Sequence, residues 1–305
     1  MSADATVLTN EGIGHSSVIT FTLERPVASG LYAKVGYSYG VSRNTVDPGS
    51  IAYGSWSANA QSADPNNPGA GYSGNMQKNR FFAAFTYTQN FIGKLVGAGW
   101  LGNTALSVYL DGHTNGNTSY VFAGDMNGDG VRGNDLIWIP SDTSQMNFVI
   151  DSIKTGATYT VYTRQQQQAA WTAFINQDSY LSSHRGQYAQ RNAVFLPMVW
   201  RADLSISQDI GRAIAGQTSR LQIRLDILNF TNWLNHNWGL GQIPTLPSAG
   251  TGTVAPLIFV GSDLTGAPTY KLENIGTNLI TQSFQKSVTT NDVWRMNLGV
   301  RYMLN

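Results

Sequence analysis

Residues 220–228 read RLQIRLDIL, and every second side chain in this stretch is apolar. Leu221, Ile223, Leu225 and Ile227 fall on one parity, whereas the arginines, the glutamine and the aspartate fall on the other. Because successive side chains of a β-strand point to opposite faces, the alternation predicts a strand with one apolar face and one polar face.

The same alternation recurs along the chain. It is found in seven segments, at residues 17–25, 31–43, 79–91, 103–111, 199–210, 220–227 and 294–304. A strand between lipid and water would show this pattern, and so would a strand of a soluble β-sandwich whose inner face meets a core. The segments are about nine to thirteen residues long, whereas sandwich strands average about five or six and tilted membrane strands about ten. Length therefore favours the membrane.

The connections between these segments alternate between short and long. Short connections are predicted at residues 26–30, 92–102 and 211–219, and long ones at 44–78, 112–198 and 228–292. Short periplasmic turns and long external loops are typical of outer-membrane barrels. Large aromatic side chains in the long loops predict that these loops pack on one another or meet a ligand; they are Trp56, Tyr72, Trp138, Trp171, Trp233 and Trp238.

Composition narrows the class of protein. Charged residues make up 12% of the chain, about half the share of a soluble domain. A net charge of +1 offers no basic surface for nucleic acid, so nucleic acid is not expected as a partner. No apolar run is long enough for a transmembrane helix, and a membrane protein without such helices must be a barrel. The chain has no cysteine and four widely separated histidines, and we predict no catalytic site and no enzyme.

The fold class predicted from these patterns is all-β. We expect a transmembrane antiparallel β-barrel, represented by about seven long strands with long extracellular loops, in the bacterial outer membrane. Residues 1–14 have neither the basic start nor the apolar region of a signal peptide, which predicts either a mature chain or a fragment.

Five stretches resemble the TonB-dependent outer-membrane receptors, especially their Oar-like branch from Bacteroidetes-type bacteria. They are residues 122–140 (FAGDMNGDGVRGNDLIWIP), 182–192 (SSHRGQYAQRN), 196–210 (LPMVWRADLSISQDI), 221–239 (LQIRLDILNFTNWLNHNWG) and 294–302 (WRMNLGVRY). The resemblance implies that residues 1–305 are the C-terminal part of a receptor barrel of about 22 strands. The family's plug domain and TonB box are absent from this sequence. Family members usually end in an aromatic residue, but here Met303, Leu304 and Asn305 follow Tyr302.

The resemblance implies energy-coupled uptake of a ligand too large for porins. The expected partners are outer-membrane lipid, the remaining barrel strands and plug of a parent receptor, and TonB through that receptor. Two other functions stay open, a passive porin-like channel and a soluble β-rich carbohydrate-binding module.

A candidate calcium site begins at Asp125. Asp125, Asn127 and Asp129, followed by Gly130, have the spacing of oxygen ligands and sharp-turn glycine in a calcium loop. The twelfth position is a leucine, and the nearest acid, Asp135, comes one residue earlier. Calcium is the one cofactor that the sequence suggests, and a turn held by side-chain to backbone hydrogen bonds is the alternative.

The charged residues on the polar parity are interpreted as a lumen-facing wall. They are Lys34, Arg80, Arg201, Asp203, Arg220, Arg224, Asp226, Arg295 and Arg301. Residues 164–181 have helical spacing of apolar side chains, which predicts a helix packed within its own loop or, alternatively, one that binds a partner. Arg185 and Arg191 follow it and are predicted to brace loop carbonyls, with an anionic ligand as the alternative.

Overall fold

A computed structural model describes residues 10, 12–47, 49, 53–62, 64–74, 76–214, 217–250 and 252–304. The strands within these ranges are β1 (His15–Ala28), β2 (Leu31–Asn44), β3 (Gly71–Tyr72), β4 (Asn79–Gln89), β5 (Leu101–Thr114), β6 (Asn117–Ala123), β7 (Trp138–Ile139), β8 (Asn147–Phe148), β9 (Asp151–Thr155), β10 (Thr158–Tyr162), β11 (Gln187–Tyr188), β12 (Val194–Phe195), β13 (Met198–Ile214), β14 (Gln217–Leu228), β15 (Gln242–Pro244), β16 (Ser248–Gly250), β17 (Thr253–Ser262), β18 (Pro268–Leu272), β19 (Asn274–Ile275), β20 (Asn278–Leu279), β21 (Phe284–Lys286) and β22 (Arg295–Leu304). The helices are α1 (Tyr53–Ser57), α2 (Phe91–Leu95), α3 (Arg164–Gln177), α4 (Ser179–Ser183) and α5 (Phe230–Leu234), with a 3₁₀ turn at Thr143–Gln145. None of the helices in these ranges is long and apolar enough to cross a membrane.

Seven long strands form one antiparallel sheet, named here the barrel sheet. Their order is β1-β2-β4-β5-β13-β14-β22, and the short strand β3 lies beside β2. All seven strands were predicted from the alternation, and each follows its chain neighbour in space, as in an up-and-down barrel. The predicted fold class is therefore confirmed as an all-β membrane barrel sheet.

The ends of the strands differ from the prediction. The first short connection consists only of Ser29 and Gly30, since Ala28 already pairs with Leu31. Both residues have a positive φ, of 54° and 79°, as a two-residue type I′ hairpin requires. The short connection predicted at 211–219 is present but shorter than predicted, since β13 continues to Ile214 and β14 begins at Gln217. In contrast, Phe91 belongs to α2 rather than to the strand before it. Backbone pairing thus continues past the alternating segments, to strand ends that side-chain polarity does not mark.

Strand register places the two parities on two continuous faces. On one face Phe21 pairs with Tyr37, and Tyr37 pairs with Phe81. Large apolar side chains on this face are exposed across the whole sheet; they include Ile19, Phe21, Leu23, Tyr37, Tyr39, Phe85, Tyr87, Leu106, Ile206, Ile223, Leu298, Val300 and Tyr302. A soluble sandwich would cover such a face with a second sheet, so the exposure agrees with lipid contact.

The height of the apolar face matches a membrane. On β13 the apolar parity runs from Trp200 to Ile210, a path of about 33 Å at about 3.3 Å per residue. A tilt of about 40° reduces this path to about 25 Å, the height of the apolar band of outer-membrane barrels. Aromatic rings lie at the long-loop end of this face, where Trp200 packs against Phe81 and Trp294 against Trp233, with ring centroids 5.7 and 6.3 Å apart.

The long connections contain a second, separately packed region, named here the loop core. It consists of the sheet β12-β6-β17-β18-β8, with β16 beside β17, and of helix α3. Its fully buried side chains come from both the second and the third long connection; they include Tyr120, Val121, Phe122, Ile137, Phe148, Trp171, Ile175, Leu257, Leu272 and Ile280. The largest apolar core of the described chain thus lies in the loops, at one end of the barrel sheet.

Candidate functional site

The polar face of the barrel sheet carries the predicted lumen-facing residues. Lys34 pairs in register with Ala84, Ala84 with Tyr109, and Tyr109 with Asp203. The register of the seven strands places every predicted lumen-facing residue on this face. They are Lys34, Arg80, Arg201, Asp203, Arg220, Arg224, Asp226, Arg295 and Arg301. The structure therefore brings these residues together on one surface, whereas their contact with a lumen stays a prediction.

Ion pairs connect neighbouring strands on this face. Arg80 donates from Nε to Asp111 Oδ1 at 2.9 Å, and His113 Nδ1 lies 2.6 Å from the other oxygen of the same carboxylate. Arg220 lies 2.6 Å from the buried carboxylate of Asp209. Lys34 pairs with Glu24 on the neighbouring strand at 3.1 Å, whereas Arg224 pairs with Asp226 along its own strand at 2.8 Å. Apart from His113 with Asp111, each pair is exposed on at least one side, so it contributes more to the charge pattern than to stability.

At the long-loop end, Asp292 joins the barrel sheet to the loops. Its Oδ1 accepts hydrogen bonds from Arg201 and from the backbone N–H of Gly241, both at 2.8 Å. Its Oδ2 accepts from the backbone and hydroxyl of Thr289, at 2.8 and 2.7 Å. Burial opposes ionisation, but the bonds from Ser287, Gly241 and Thr289 hold the pKa of Asp292 well below its usual range. Sequence analysis missed Asp292 because it lies outside every alternating segment.

The Asp125 loop has the internal hydrogen bonds of a tight oxygen-rich turn. Asp125 accepts from the backbone N–H of Gly128, Asp129 and Gly130 at 2.8, 3.1 and 2.9 Å. Asp135 also belongs to this loop, because its Oδ2 accepts from the backbone N–H of Met126 at 2.7 Å. Burial raises the pKa of Asp135, Met126 opposes that shift, and Asp129 and Asp125 add to it.

The four predicted calcium ligands therefore lie within one loop, and calcium binding there stays a prediction. Within the described ranges, no three His, Cys, Asp or Glu side chains form a metal cluster by themselves. Any cation here would need neutral oxygens in addition to the carboxylates.

Arg191 is buried where the first long connection meets the loop core. It donates to Asp47 Oδ2 at 2.9 Å, to Asn44 Oδ1 at 2.7 Å, and to the carbonyl oxygen of Asn44. Arg185 donates to the carbonyl oxygens of Pro140 and Ser141. The predicted bracing role of both arginines is thus confirmed. Burial lowers the pKa of Arg191 despite the nearby Asp47 carboxylate.

A polar cavity of about 440 Å³ opens beside Arg191. Its wall includes Asp47, Asn59, Asn117, Ser119, Arg191 and Asn192. Amide and hydroxyl side chains line part of the wall, beside the ion pair of Arg191 with Asp47. Such a surface fits a polar ligand with several hydrogen-bonding groups.

Helix α3 packs within its own loop, as predicted. Thr163 and Gln166 form a capping box at its start, and Trp171, Phe174 and Ile175 are buried on one side. Its C-terminal neighbour Asp178 accepts a 2.6 Å hydrogen bond from Tyr120. Of the loop aromatics, Trp171 is fully buried, as loop packing predicts, whereas Trp233 and Trp238 are more than half exposed and their contact with a ligand stays a prediction.

An antiparallel sheet with an apolar outer face, a polar inner face and long loops at one end defines an outer-membrane β-barrel protein. A family model described as "Outer membrane beta barrel domain" matches residues 3–255, and the chain belongs to that family. This places the protein in the bacterial outer membrane. Searches of curated proteins and of solved structures gave no significant match.

Proposed function

We propose that this chain is the C-terminal barrel segment of a TonB-dependent receptor of the Oar-like type, which takes up a large polar ligand. Transport rather than catalysis is the role that an outer-membrane barrel family favours. The observation that carries the proposal is the combination of an open barrel sheet with a packed loop core at one end.

The open edges support a larger barrel. Strands β1 and β22 each pair with one neighbour along the order of the sheet. With seven antiparallel strands, these two edges run in the same direction, so they cannot close on each other in an antiparallel manner. An unpaired N–H or C=O in hydrocarbon costs several kcal/mol. Further strands of a longer parent protein would satisfy both edges.

The loop core supports a receptor more than a passive porin. All three long connections leave the same end of the barrel sheet, and all three contribute side chains to one buried core. A receptor needs ordered loops to recognise its ligand, whereas a porin needs an open aqueous path, so a packed loop core favours the receptor. The polar cavity beside Arg191 offers a place for ligand recognition in this region.

TonB dependence can be tested on the complete parent receptor, with its plug domain and TonB box, extracted from the outer membrane in mild detergent. We expect immobilised TonB periplasmic domain to retain it and planar bilayers containing it to show no steady ion conductance. Steady conductance without TonB binding would overturn the proposal and favour the passive channel. Solubility without detergent would instead favour a carbohydrate-binding module.

The barrel-segment part of the proposal has its own test. Residues 1–305 are refolded alone in detergent, and their electrophoretic mobility is compared before and after boiling, since closed barrels resist dodecyl sulfate until heated. We expect no shift in mobility and no conductance. A heat-modifiable monomer that conducts ions would contradict the requirement for additional strands.

A further inference from the structure

We propose that residues 125–135 and Gln61 form a calcium site that fastens the first long connection to the second. The inference is independent of the transport proposal, because it depends only on groups within the loops. It extends the predicted set of Asp125, Asn127, Asp129 and Asp135 by two neutral ligands, Gln61 and Asn134.

Two buried oxygen atoms at this loop have no hydrogen-bond partner. They are Oδ1 of Asp135 and Oδ1 of Asn134, whose residues are only 2% and 0% exposed. The other oxygen of Asp135 is bonded inside the loop, to the backbone N–H of Met126, so this carboxylate is directed into the loop. Buried polar atoms are nearly always paired, and an unpaired carboxylate oxygen is especially costly. A bound cation would remove that cost.

Three carboxamide groups converge on one further oxygen. Gln61, Asn134 and Asn127 direct their NH₂ groups at Asp129 Oδ2, at 3.0, 3.0 and 3.2 Å. A carboxylate oxygen offers about two lone-pair positions, so three donors exceed its capacity. A half-turn of a carboxamide exchanges its nitrogen and oxygen without changing its shape. Turned in this way, Gln61 presents a neutral oxygen to the site, while Asn134 already offers its unpaired Oδ1 without turning.

The resulting donor set fits calcium. The carboxylates of Asp125, Asp129 and Asp135 place negative charge at the site, and the carboxamides of Gln61 and Asn134 supply neutral oxygens. Calcium takes about six to eight oxygens in flexible geometry, whereas magnesium demands a small and near-ideal octahedron. Calcium is therefore preferred over magnesium. Gly130, with a φ of 83°, allows the sharp turn that brings the early and late ligands together.

Gln61 links the proposed site to the first long connection. Its backbone N–H donates to Asn134 at 2.8 Å, and its carbonyl oxygen accepts from Leu136 at 2.7 Å. Gln61 lies in the connection between β2 and β4, whereas Asn134 and Leu136 lie in the connection between β6 and β7. A cation shared by these segments would hold the two loops together above the barrel sheet.

The test is calorimetric titration of the detergent-extracted protein with calcium chloride, and separately with magnesium chloride. We expect saturable binding of one calcium ion and at least tenfold weaker binding of magnesium. Asp135→Asn and Asp129→Asn, which preserve side-chain shape, should each weaken calcium binding at least tenfold. The matched control is Asp263→Asn, because Asp263 holds a similar turn through Thr265 and Ala267 but is exposed.

A gain-of-affinity variant guards against simple misfolding. Gln61→Glu adds a fourth carboxylate, and we expect it to bind calcium more tightly, since ligand charge tunes the affinity of such loops. Calcium should also slow proteolysis of the segment containing α1, and chelation should reverse the effect. Absence of calcium heat in the unmodified protein, or equal losses in Asp263→Asn and Asp135→Asn, would overturn the site.

Discussion

The barrel sheet and the loop core are both built from β-strands, but they bury opposite surfaces. Leu298 on the barrel sheet is 73% exposed, whereas Leu257 in the loop core is fully buried. Trp294 is 42% exposed at the rim of the barrel sheet, while Trp171 is fully buried on the inner side of α3. The same residue types therefore face outward where the surroundings are lipid and inward where they are water. The solvent of each region, rather than its strand content, decides which side of a strand is apolar.

The largest expected effect compares a buried tryptophan of the loop core with an exposed tryptophan of the same long connections. Trp171→Ala should destabilise the loop core by about 3 to 5 kcal/mol, because it leaves a large cavity. Trp238→Ala, at a position that is 54% exposed, should change stability by less than about 0.5 kcal/mol. Urea unfolding followed by near-ultraviolet circular dichroism measures both. Equal effects would mean that the loops have no common core.

A charge on the lipid-facing side tests the assignment of the two faces. Ile223→Arg should destabilise the barrel sheet by about 2 to 4 kcal/mol, as arginine does near the middle of a bilayer. Arg224→Leu, one residue away on the polar face, should cost less because it removes only an exposed ion pair with Asp226. Unfolding in lipid vesicles compares the variants in the protein from the outer membrane. The reverse order of effects would invert the two faces.

Asp292 tests the connection between the regions through pH. Its pKa is lower in the folded protein than the ordinary carboxyl value of about 4. Its stabilisation is therefore fully present above that value and is lost as pH falls toward the lower, folded-state pKa. Asp292→Asn should cost about 1 to 3 kcal/mol at pH 7, and the gap from the unmodified protein should narrow below about pH 4. A gap that stays constant in acid would contradict this role.

The smallest expected effect concerns the start of α3. Thr163→Ala removes the capping box and should cost about 1 kcal/mol of loop-core stability. Thr163→Ser keeps a hydroxyl acceptor for the N–H of Gln166 and should cost less. Urea midpoints of the two variants make the comparison. A loss in Thr163→Ser as large as in Thr163→Ala would assign the effect to packing instead of capping.

The barrel sheet was predictable from sequence because lipid on one side and water on the other impose a strict two-residue period. The loop core lacked that signal. Strand β6 is buried along most of its length on both faces, so its side chains do not alternate in polarity. It also pairs in parallel with β17, joining Ser119 to Thr253, and such a distant pairing leaves no local pattern.

The site residues likewise differ in how far the sequence predicts them. Charges of the polar face followed from parity, and Asp125 to Asp135 followed from spacing within one loop. Gln61 could not be found, because it meets Asp129 only after two separate connections have folded together. Asp292 was missed for the same reason, since its partners Arg201 and Gly241 come from a strand and a different part of a loop.

The most direct test of the account is whether the apolar face of the barrel sheet contacts lipid. The chain has no cysteine, so single cysteines can be placed at each position from 221 to 227 and labelled with nitroxide in the outer-membrane protein. Position 264, where the native leucine is fully exposed, serves as the aqueous reference. We predict that odd positions are accessible to lipid-soluble oxygen and even positions to a water-soluble nickel chelate, in strict alternation. Alternation of the opposite phase, or nickel access at every position, would contradict the account.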